Sequence, residues 1–434
     1  MAPWRTPPRR GAAGIRLAAG LTAAVLAVAV SGCGGGDGGS GGKTTLTVAV
    51  FSDFGYEPLA KEYMTAHPDI EVKIRKAEFD PHHKQLATRL AAGSGAADVE
   101  AVEEGFLPQF RQSKDKFVNL ADYGAADLKS QWLPWKWEQG VAEGGAFVMG
   151  LGTDMGGLAL CYRADLFKAA GLPTGRDEVS KLYTSWDDYF AVGQRFVAAG
   201  GKAKWFDSAG NVYSAMINQL PYGYFNPDDT YVGDSNPQIR DTFAAVAAAA
   251  SGKGMSAQLD PFSQQWNVGF KQGTFATLPC PSWMLGLIKD GSGPANAGKW
   301  DIAKVPGSGG NWGGSFLTVP KQGKHPKEAY ELAKFLTSPE SETKIFQNVG
   351  SLPSQPGPLK DPAVLDFRNE YFNNAPVGEI FARSGESLRP NYRGTRDGDV
   401  RPVFGRALAR VEQGKQSPDE AWQAALGEAR KTLG

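Results

Sequence analysis

Cysteine and histidine are both scarce in this sequence of 434 residues, which contains three cysteines and four histidines. The adjacent pair His82-His83 would point to different sides of a helix, and the other two histidines, His67 and His325, stand alone. This spacing argues against a zinc or manganese site. Cys161 and Cys280 each lie in an apolar run, which leaves two alternatives open: two buried thiols, or a disulfide if their strands are neighbours.

Motifs that mark common catalytic sites are also lacking. The sequence has no Gly-x-Ser-x-Gly elbow and no His-Glu-x-x-His, and the glycine-rich residues 307–315 are not followed by the Gly-Lys-Ser/Thr of a phosphate loop. Carboxylates are plentiful, but no two of them stand out as the pair of a glycosidase. We therefore expect a protein that is not an enzyme and that needs no cofactor or metal, with a carbohydrate-acting enzyme as the alternative.

Long apolar runs are confined to the N-terminus. Arginines precede residues 17–30, a stretch too short to span a bilayer, which takes about 20 residues, but typical of a signal peptide. The run ends in Val30-Ser31-Gly32-Cys33, which resembles the lipobox at which bacterial lipoproteins are acylated and cleaved. We predict a signal peptide over residues 1–32, lipidation of Cys33 and a flexible Gly/Ser tether over residues 33–43. A plain secretory signal with an incidental cysteine is the alternative.

The charge balance limits the partners of the body that follows. The sequence has 46 basic and 46 acidic residues, and the predicted signal peptide holds four of the basic residues and none of the acidic ones. The remaining chain is mildly acidic, which argues against a nucleic-acid partner and gives no polybasic patch for a membrane surface. We expect an extracytoplasmic body that is held at the outer face of the cell membrane through its lipid alone.

Strand and helix patterns alternate from residue 44 to residue 103. Strands are predicted over residues 44–51, 71–79 and 97–103, with helices over residues 56–66 and 80–90 between them. This βαβαβ order is typical of a parallel sheet, in which ligands bind beyond the carboxyl ends of the strands. It places Asp53, Phe54, Glu103 and Glu104 at the mouth of a candidate site, although a solvated loop would also account for the two glutamates.

Residues 150–167 combine a turn with a buried strand. Gly152, Asp154, Gly156 and Gly157 precede the apolar residues 158–162, and a short helix follows. Glycine and aspartate give a backbone the conformational freedom that a hinge needs. We interpret the segment as a crossover between two α/β lobes. An ordinary loop before an ordinary strand is the alternative.

Several stretches, taken in order, resemble the sugar-binding proteins of bacterial ABC importers of the carbohydrate uptake transporter-1 group. The matching segments are the crossover at residues 154–167, the helix start at residues 185–188, residues 270–283 and the helix near residues 326–337. The resemblance implies an α/β, two-lobed periplasmic-binding-protein-like fold, each lobe a mainly parallel sheet flanked by helices, with the ligand cleft between the lobes. Lobe one would comprise residues 44–151 and 301–338, and lobe two residues 152–300 and 339–434. About three crossovers would join them, and the strand at residues 300–306 would re-enter lobe one.

The same resemblance implies a set of ligand contacts. Glu104 matches the family's acid after the third strand, although Gly105 and Ala101 stand where a basic residue and an aromatic residue are often found. Trp283 matches the family's tryptophan that stacks on the sugar, with a position in the core as the alternative. The predicted ligand-binding residues are Asp53, Phe54, Glu103, Glu104, Asp154, Asn218, Gln219, Tyr222, Tyr224, Trp283, Asn311, Trp312, Asn391 and Arg393.

The resemblance also implies partners. These are an oligosaccharide, for which we favour a short β-glucan of the cellobiose type, and the membrane permease subunits of an ABC importer, with the protein itself a monomer. A ferric-ion site built on Tyr222 and Tyr224 is a weaker alternative, because the sequence lacks the accompanying carboxylate and anion pattern.

Overall fold

The structure, a computed structural model, describes residues 42–434 apart from residues 253, 308, 387 and 389. The predicted signal peptide and the predicted lipidation site Cys33 lie outside the described residues. Within the described ranges, no helix combines the length and the apolar character needed to cross a membrane.

Two sheets organise the described chain. The first has the strand order β2-β1-β3-β11-β6 and the second the order β10-β7-β9-β8, and a short hairpin joins β4 to β5. The strands are β1 (Thr44–Phe51), β2 (Ile70–Ala77), β3 (Val99–Glu103), β4 (Val141–Ala142), β5 (Phe147–Val148), β6 (Gly150–Gly152), β7 (Leu158–Arg163), β8 (Lys204–Phe206), β9 (Phe275–Pro281), β10 (Trp300–Ala303) and β11 (Ser315–Thr318).

Helices cover both sheets. They are α1 (Tyr56–Ala66), α2 (Phe79–Ala92), α3 (Leu107–Arg111), α4 (Pro134–Gly140), α5 (Ala164–Ala169), α6 (Arg176–Leu182), α7 (Trp186–Ala198), α8 (Ala209–Ile217), α9 (Pro237–Ala250), α10 (Gln264–Gln272), α11 (Met284–Ser292), α12 (Pro326–Leu336), α13 (Pro339–Val349), α14 (Pro356–Lys360), α15 (Pro362–Leu365), α16 (Val377–Glu386), α17 (Asp397–Glu412) and α18 (Pro418–Leu433).

The predicted βαβαβ unit is confirmed in the first sheet. Strand β1 pairs in parallel with β2 and with β3, and the helices α1 and α2 connect them. Helix α2 ends at Gly93, whose φ of 73° is the left-handed conformation that terminates many helices. The carboxyl ends of β1 and β3 therefore meet at one edge of this sheet, which we call the sheet of lobe one.

The crossover predicted at residues 150–167 is also confirmed. Strand β6 pairs with β11 in the sheet of lobe one, whereas β7 pairs with β9 and β10 in the other sheet, which we call the sheet of lobe two. The residues between β6 and β7 thus carry the chain from one sheet to the other. The chain returns between β10 and β11 and crosses again along α13, where Ile345 packs in the core of lobe one and Phe346 in that of lobe two.

One expectation about the sheets is wrong. Strand β10 does not re-enter lobe one: Trp300 lies opposite Arg163 of β7, so residues 301–303 belong to the sheet of lobe two. Each sheet also contains one strand that runs against the others. That strand is β11 in lobe one, where β1, β2, β3 and β6 share a direction, and β7 in lobe two, where β8, β9 and β10 share a direction.

Cys161 and Cys280 form a disulfide. The sequence left this pairing open, and the structure explains it, because β7 and β9 are antiparallel neighbours that place the two cysteines in adjacent rows. Both residues are fully buried in a core cluster with Leu278, Ile288 and Ile302. The bond therefore fastens the middle of the lobe-two sheet from within.

We predict that replacing both cysteines by alanine lowers the free energy of unfolding by about 2–4 kcal/mol. The bond closes a loop with a sequence separation of 119, and a crosslink over so long a loop strongly restricts the unfolded chain. Denaturant unfolding of parent and variant measures the difference. Alkylation of Cys161 and Cys280 in denatured, unreduced protein would show instead that the bond is absent.

Candidate functional site

Glu103 and Glu104 lie where β3 ends, at the edge predicted to hold the site. The backbone N–H of Glu103 donates to Nε2 of His83 at 3.1 Å, and the N–H of Glu104 donates to the carbonyl of Gly314 at 2.9 Å. The Glu103 carboxylate accepts the N–H of Gly105 at 2.7 Å. The strand end is thus held rigidly by helix α2 on one side and by the chain leading into β11 on the other.

Glu104 connects lobe one to residues of the crossover and of lobe two. Its Oε2 accepts a hydrogen bond from Nδ2 of Asn311 at 2.6 Å, and its Oε1 lies 3.8 Å from Nη2 of Arg393. Glu104, Asn311 and Arg393 are all buried. A buried charge is stable only when it is paired and hydrogen-bonded, so these contacts are strong determinants of how the lobes meet.

Arg393 is the centre of this cluster. Its Nη2 donates to Oδ1 of Asn218 at 2.5 Å, and its Nη1 donates to Oδ2 of Asp397 at 3.2 Å. Arg401 adds a second cation, with its Nε 3.2 Å from the same Asp397 oxygen. We call Glu104, Asn218, Arg393, Asp397 and Arg401 the interlobe cluster.

Sequence reasoning missed Asp397 and Arg401. Part of the signal was present, because Asp397 and Arg401 are spaced by four within α17. Side chains at that spacing share one face of a helix, and an acid and a base there indicate an ion pair.

Lys136 is a further residue that sequence reasoning missed. It belongs to α4 and is fully buried, its Nζ 4.1 Å from the centre of the Phe316 ring and without a hydrogen-bond partner among the described residues. Burial lowers the pKa of Lys136, and the nearby carboxylates of Glu104 and Asp154 oppose that shift. The available signal was a lysine between two tryptophans, Trp135 and Trp137.

Burial also sets the protonation of the carboxyl groups around Lys136. It raises the pKa of Glu104 to about 8 and that of Asp397 to about 6, although Arg393 acts in the opposite direction on both. The pKa of Asp154 is raised for the same reason, against the effect of Lys136. Protons therefore neutralise part of the negative charge that these carboxyl groups would otherwise carry.

Trp283 and Trp312 form an aromatic pair beside the cluster. Trp283 follows directly on β9 and is partly exposed, and its Nε1 donates to the carbonyl of Trp312 at 2.8 Å. The two rings meet edge to face, with centres 6.4 Å apart. Trp283 therefore lies at the end of the strand, as predicted, and not inside the sheet.

Gly156 brings the two crossover segments together. Its N–H donates to Oδ1 of Asn311 at 2.8 Å, and its carbonyl accepts the N–H of Trp312 at 2.8 Å. A Cβ at this position would lie 1.8 Å from the carbonyl oxygen of Trp312. Only glycine allows this close approach, so the residue type fixes where Asn311 and Trp312 stand.

Three further predicted residues lie close to these groups without joining the interlobe cluster. Asp154 is buried in the first crossover, where Oδ1 accepts from the hydroxyl of Thr153 at 2.5 Å and from the N–H of Ser315 at 2.9 Å. Gln219 bonds Trp186 and the carbonyl of Pro306. Asn391 donates to the carbonyls of Ile217 and Leu220.

The remaining predicted residues lie apart from the interlobe cluster. Asp53 is exposed and pairs with Lys76 at 3.2 Å, and Phe54 packs edge to face on Phe51. Tyr222 is bridged to Tyr392 along the backbone.

Tyr224 corrects a prediction. It is fully buried in the core of lobe two, stacked on Phe404 with its hydroxyl bonded to that of Tyr213 at 3.2 Å. It therefore cannot contact a ligand in the cleft, and it cannot complete a ferric-ion site with Tyr222. Over the described part of the chain, no cluster of three or more His, Cys, Asp or Glu side chains is arranged to hold a metal.

Comparison with known proteins identifies the class of this chain. The family model for bacterial extracellular solute-binding proteins matches residues 58–365. A solved structure described as an extracellular solute-binding protein family 1 member is 46% identical, with a TM-score of 0.81 over 90% of this chain and 100% of that one. The chain belongs to the extracellular solute-binding protein family, whose members are binding proteins.

Two more distant relatives have named ligands. The arabinooligosaccharide-binding protein of Bacillus subtilis (strain 168) is 23% identical over 94% of this chain and 97% of the relative. The ABC transporter associated binding protein from B. animalis subsp. lactis Bl-04, solved in complex with β-1,6-galactobiose, is 21% identical with a TM-score of 0.76, over 90% of this chain and 98% of that one. The second likeness extends to the two-lobed fold.

We predict that Glu104→Gln removes part of the dependence of stability on pH. The pKa of Glu104 is about 8 in the folded protein against 4.5 for an ordinary glutamate, so the folded state binds the proton more tightly. The stability from this proton is complete below about pH 4.5 and is lost as the pH rises through about 8. The glutamine variant should therefore melt higher than the parent at pH 9 and nearly equally at pH 5.

The matched control is Glu138→Gln, which changes an exposed carboxylate on α4. Its melting curves should follow those of the parent at every pH. Equal melting temperatures for Glu104→Gln and the parent at pH 9 would contradict the assigned proton.

Proposed function

We propose that this protein is the oligosaccharide-binding component of a carbohydrate ABC importer. It captures the sugar between its two lobes and delivers it to the membrane permease subunits. The family assignment and the oligosaccharide ligands of the relatives support this proposal.

The proximity of Glu103 and Trp283 is the structural observation that best supports the proposal. A carbon placed on Gly313 at the Cβ position would lie 3.3 Å from Nε1 of Trp283 and 3.8 Å from Oε1 of Glu103. A carboxylate from lobe one and an indole from lobe two thus border the same small space. Carboxylates accept hydrogen bonds from sugar hydroxyls, and aromatic faces pack on the apolar C–H faces of sugar rings.

The charge of this region favours an uncharged ligand. Arg393 and Arg401 both lie 3.2 Å from the carboxylate of Asp397, and Asn218 and Glu104 contact Arg393 as well, so both cations already have protein partners. Sugar hydroxyls, which donate and accept, need only small rearrangements of such a cluster. Any hydroxyl left unpaired on burial would cost about 1–3 kcal/mol.

Calorimetry with a panel of sugars tests the proposal. The panel contains arabino-oligosaccharides, β-1,6-galactobiose and cello-oligosaccharides, with ferric citrate as a non-sugar arm. We expect saturable heat with at least one sugar, none with iron, and no new products by chromatography. Turnover of a sugar above the buffer background, or saturable binding of iron alone, would refute the proposal.

We predict that Trp283→Ala weakens sugar binding roughly 10- to 100-fold, because a stacking tryptophan contributes about 1–3 kcal/mol to ligand binding. The melting temperature without sugar should change little, since Trp283 is partly exposed. Trp422→Ala is the matched control, because Trp422 is buried in the lobe-two core: it should lose stability and keep the affinity. Unchanged affinity with a large loss of stability in Trp283→Ala would assign Trp283 to the core.

The lobe boundaries, the monomeric state and the lipid anchor also belong to this proposal. Lobe one comprises residues 44–152 and 304–338, and lobe two comprises residues 153–303 and 339–434, with Gly152 and β10 assigned by their pairing. Closure about the crossovers favours the bound state through contacts to both lobes. A lipid on Cys33 holds the binding protein close to the permease.

We predict that Cys33→Ala prevents lipidation, because the thiol that accepts the lipid is lost. The variant should be released from the membrane fraction or remain unprocessed, as seen by fractionation and intact mass. Ser31→Thr, a change beside the cysteine that keeps the thiol, serves as a control for processing. A Cys33→Ala variant that is cleaved and membrane-bound like the parent would contradict the anchor.

A further inference from the structure

We propose that Phe262 forms a second aromatic platform for the ligand, which extends the binding site from Trp283 along the outer edge of lobe two. This inference rests on the proposed function and adds a statement about the length of the ligand. The oligosaccharide extends beyond the part that packs on Trp283. Phe262 was not among the residues predicted from the sequence.

Phe262 is held in an unusual conformation. It lies in the loop between α9 and α10, and 55% of its side chain surface is exposed, more than for the other exposed large apolar residues Phe79 and Val268. Its φ of 66° is left-handed, a region that bulky residues rarely adopt. Strained residues of this kind cluster at ligand sites, where the surrounding structure holds them in place.

The surrounding contacts fix the loop firmly. The N–H of Leu259 donates to the carbonyl of Asp207 at 3.2 Å, and Nε2 of Gln258 donates to the carbonyl of Glu412 at 2.5 Å. The N–H of Ser263 closes a turn on the carbonyl of Asp260 at 3.1 Å. Phe262 is therefore presented by an anchored loop, and its exposure does not come from a loose one.

The position of the ring points to the same ligand as Trp283. One side of Phe262 packs on the buried Trp266, with ring centres 5.2 Å apart. Its plane is inclined by only 27° to that of Trp283, and the ring centres are 6.4 Å apart. Phe262 thus adds a ring nearly parallel to that of Trp283, which Trp312 meets edge to face.

A series of ring faces suits a chain of sugar rings. Each sugar unit has an apolar C–H face that packs on an aromatic ring, while its hydroxyls remain at the edges for hydrogen bonds or water. An exposed phenylalanine beside the first platform gives the next unit an apolar surface without adding charge. The resulting preference is for ligands of three or more units over disaccharides.

The test measures affinity against ligand length for Phe262→Ala. Calorimetry uses the di-, tri- and tetrasaccharide of whichever series in the panel the parent binds. The variant should bind the tri- and tetrasaccharide roughly 3- to 10-fold more weakly and the disaccharide equally well. Phe262→Tyr, which keeps the ring, should restore the parent affinities.

Val268→Ala is the matched control, since it removes an exposed apolar side chain from the neighbouring helix α10. It should leave all affinities unchanged, and the melting temperature of Phe262→Ala should change little, because Phe262 is largely exposed. Unchanged affinities for every length in Phe262→Ala would overturn the second platform. An equal loss for all lengths would also overturn it, because it would place Phe262 in the same subsite as Trp283. Absence of sugar binding by the parent itself would instead refute the proposed function.

Discussion

The ion pair of Arg393 with Asp397, together with the contacts that Arg393 makes to Asn218 and Glu104, is the arrangement on which the contact between the lobes depends. Taking a charge out of water costs several kcal/mol, and the attraction between buried ions offsets this only when geometry and hydrogen bonding are good. Arg393 pairs with Asp397 and Asn218 from lobe two, and its guanidinium lies 3.8 Å from Glu104 of lobe one. Removing Asp397 would leave Arg393 buried without its anionic hydrogen-bond partner and would cost about 3–5 kcal/mol, so this ion pair holds the guanidinium where Glu104 of lobe one meets it.

Protons complete the balance of charge in this region. Glu104, Asp154 and Asp397 are all buried and all have raised pKa values, while Lys136 and Arg393 supply the compensating positive charge. Exposure of these groups to water would lower their pKa values toward those of ordinary carboxyl groups.

Sequence reasoning predicted the features that depend on local order along the chain. The βαβαβ unit, the crossover before β7, Glu104 at the end of β3 and Trp283 after β9 each follow from neighbouring residues. It could not assign β10 to a sheet, because the sequence of a short apolar strand does not specify which strand it pairs with. Lys136 and Phe262 were missed because their significance comes from residues far away in sequence, Phe316 and Trp283.

The charged groups and the aromatic groups have different roles in the proposed ligand site. The interlobe cluster is buried except for Arg401, so its geometry is set largely by the protein. Trp283, Trp312 and Phe262 are partly or largely exposed, and they differ from the cluster in leaving apolar area for a ligand to cover. We infer that selectivity among uncharged oligosaccharides rests on the aromatic surface, whereas the register of the two lobes rests on the ions. Gly156 fixes the positions of Trp312 and Asn311, and Asn311 donates a hydrogen bond to Glu104. The close contact at Gly156 therefore keeps the aromatic residues aligned with the interlobe cluster.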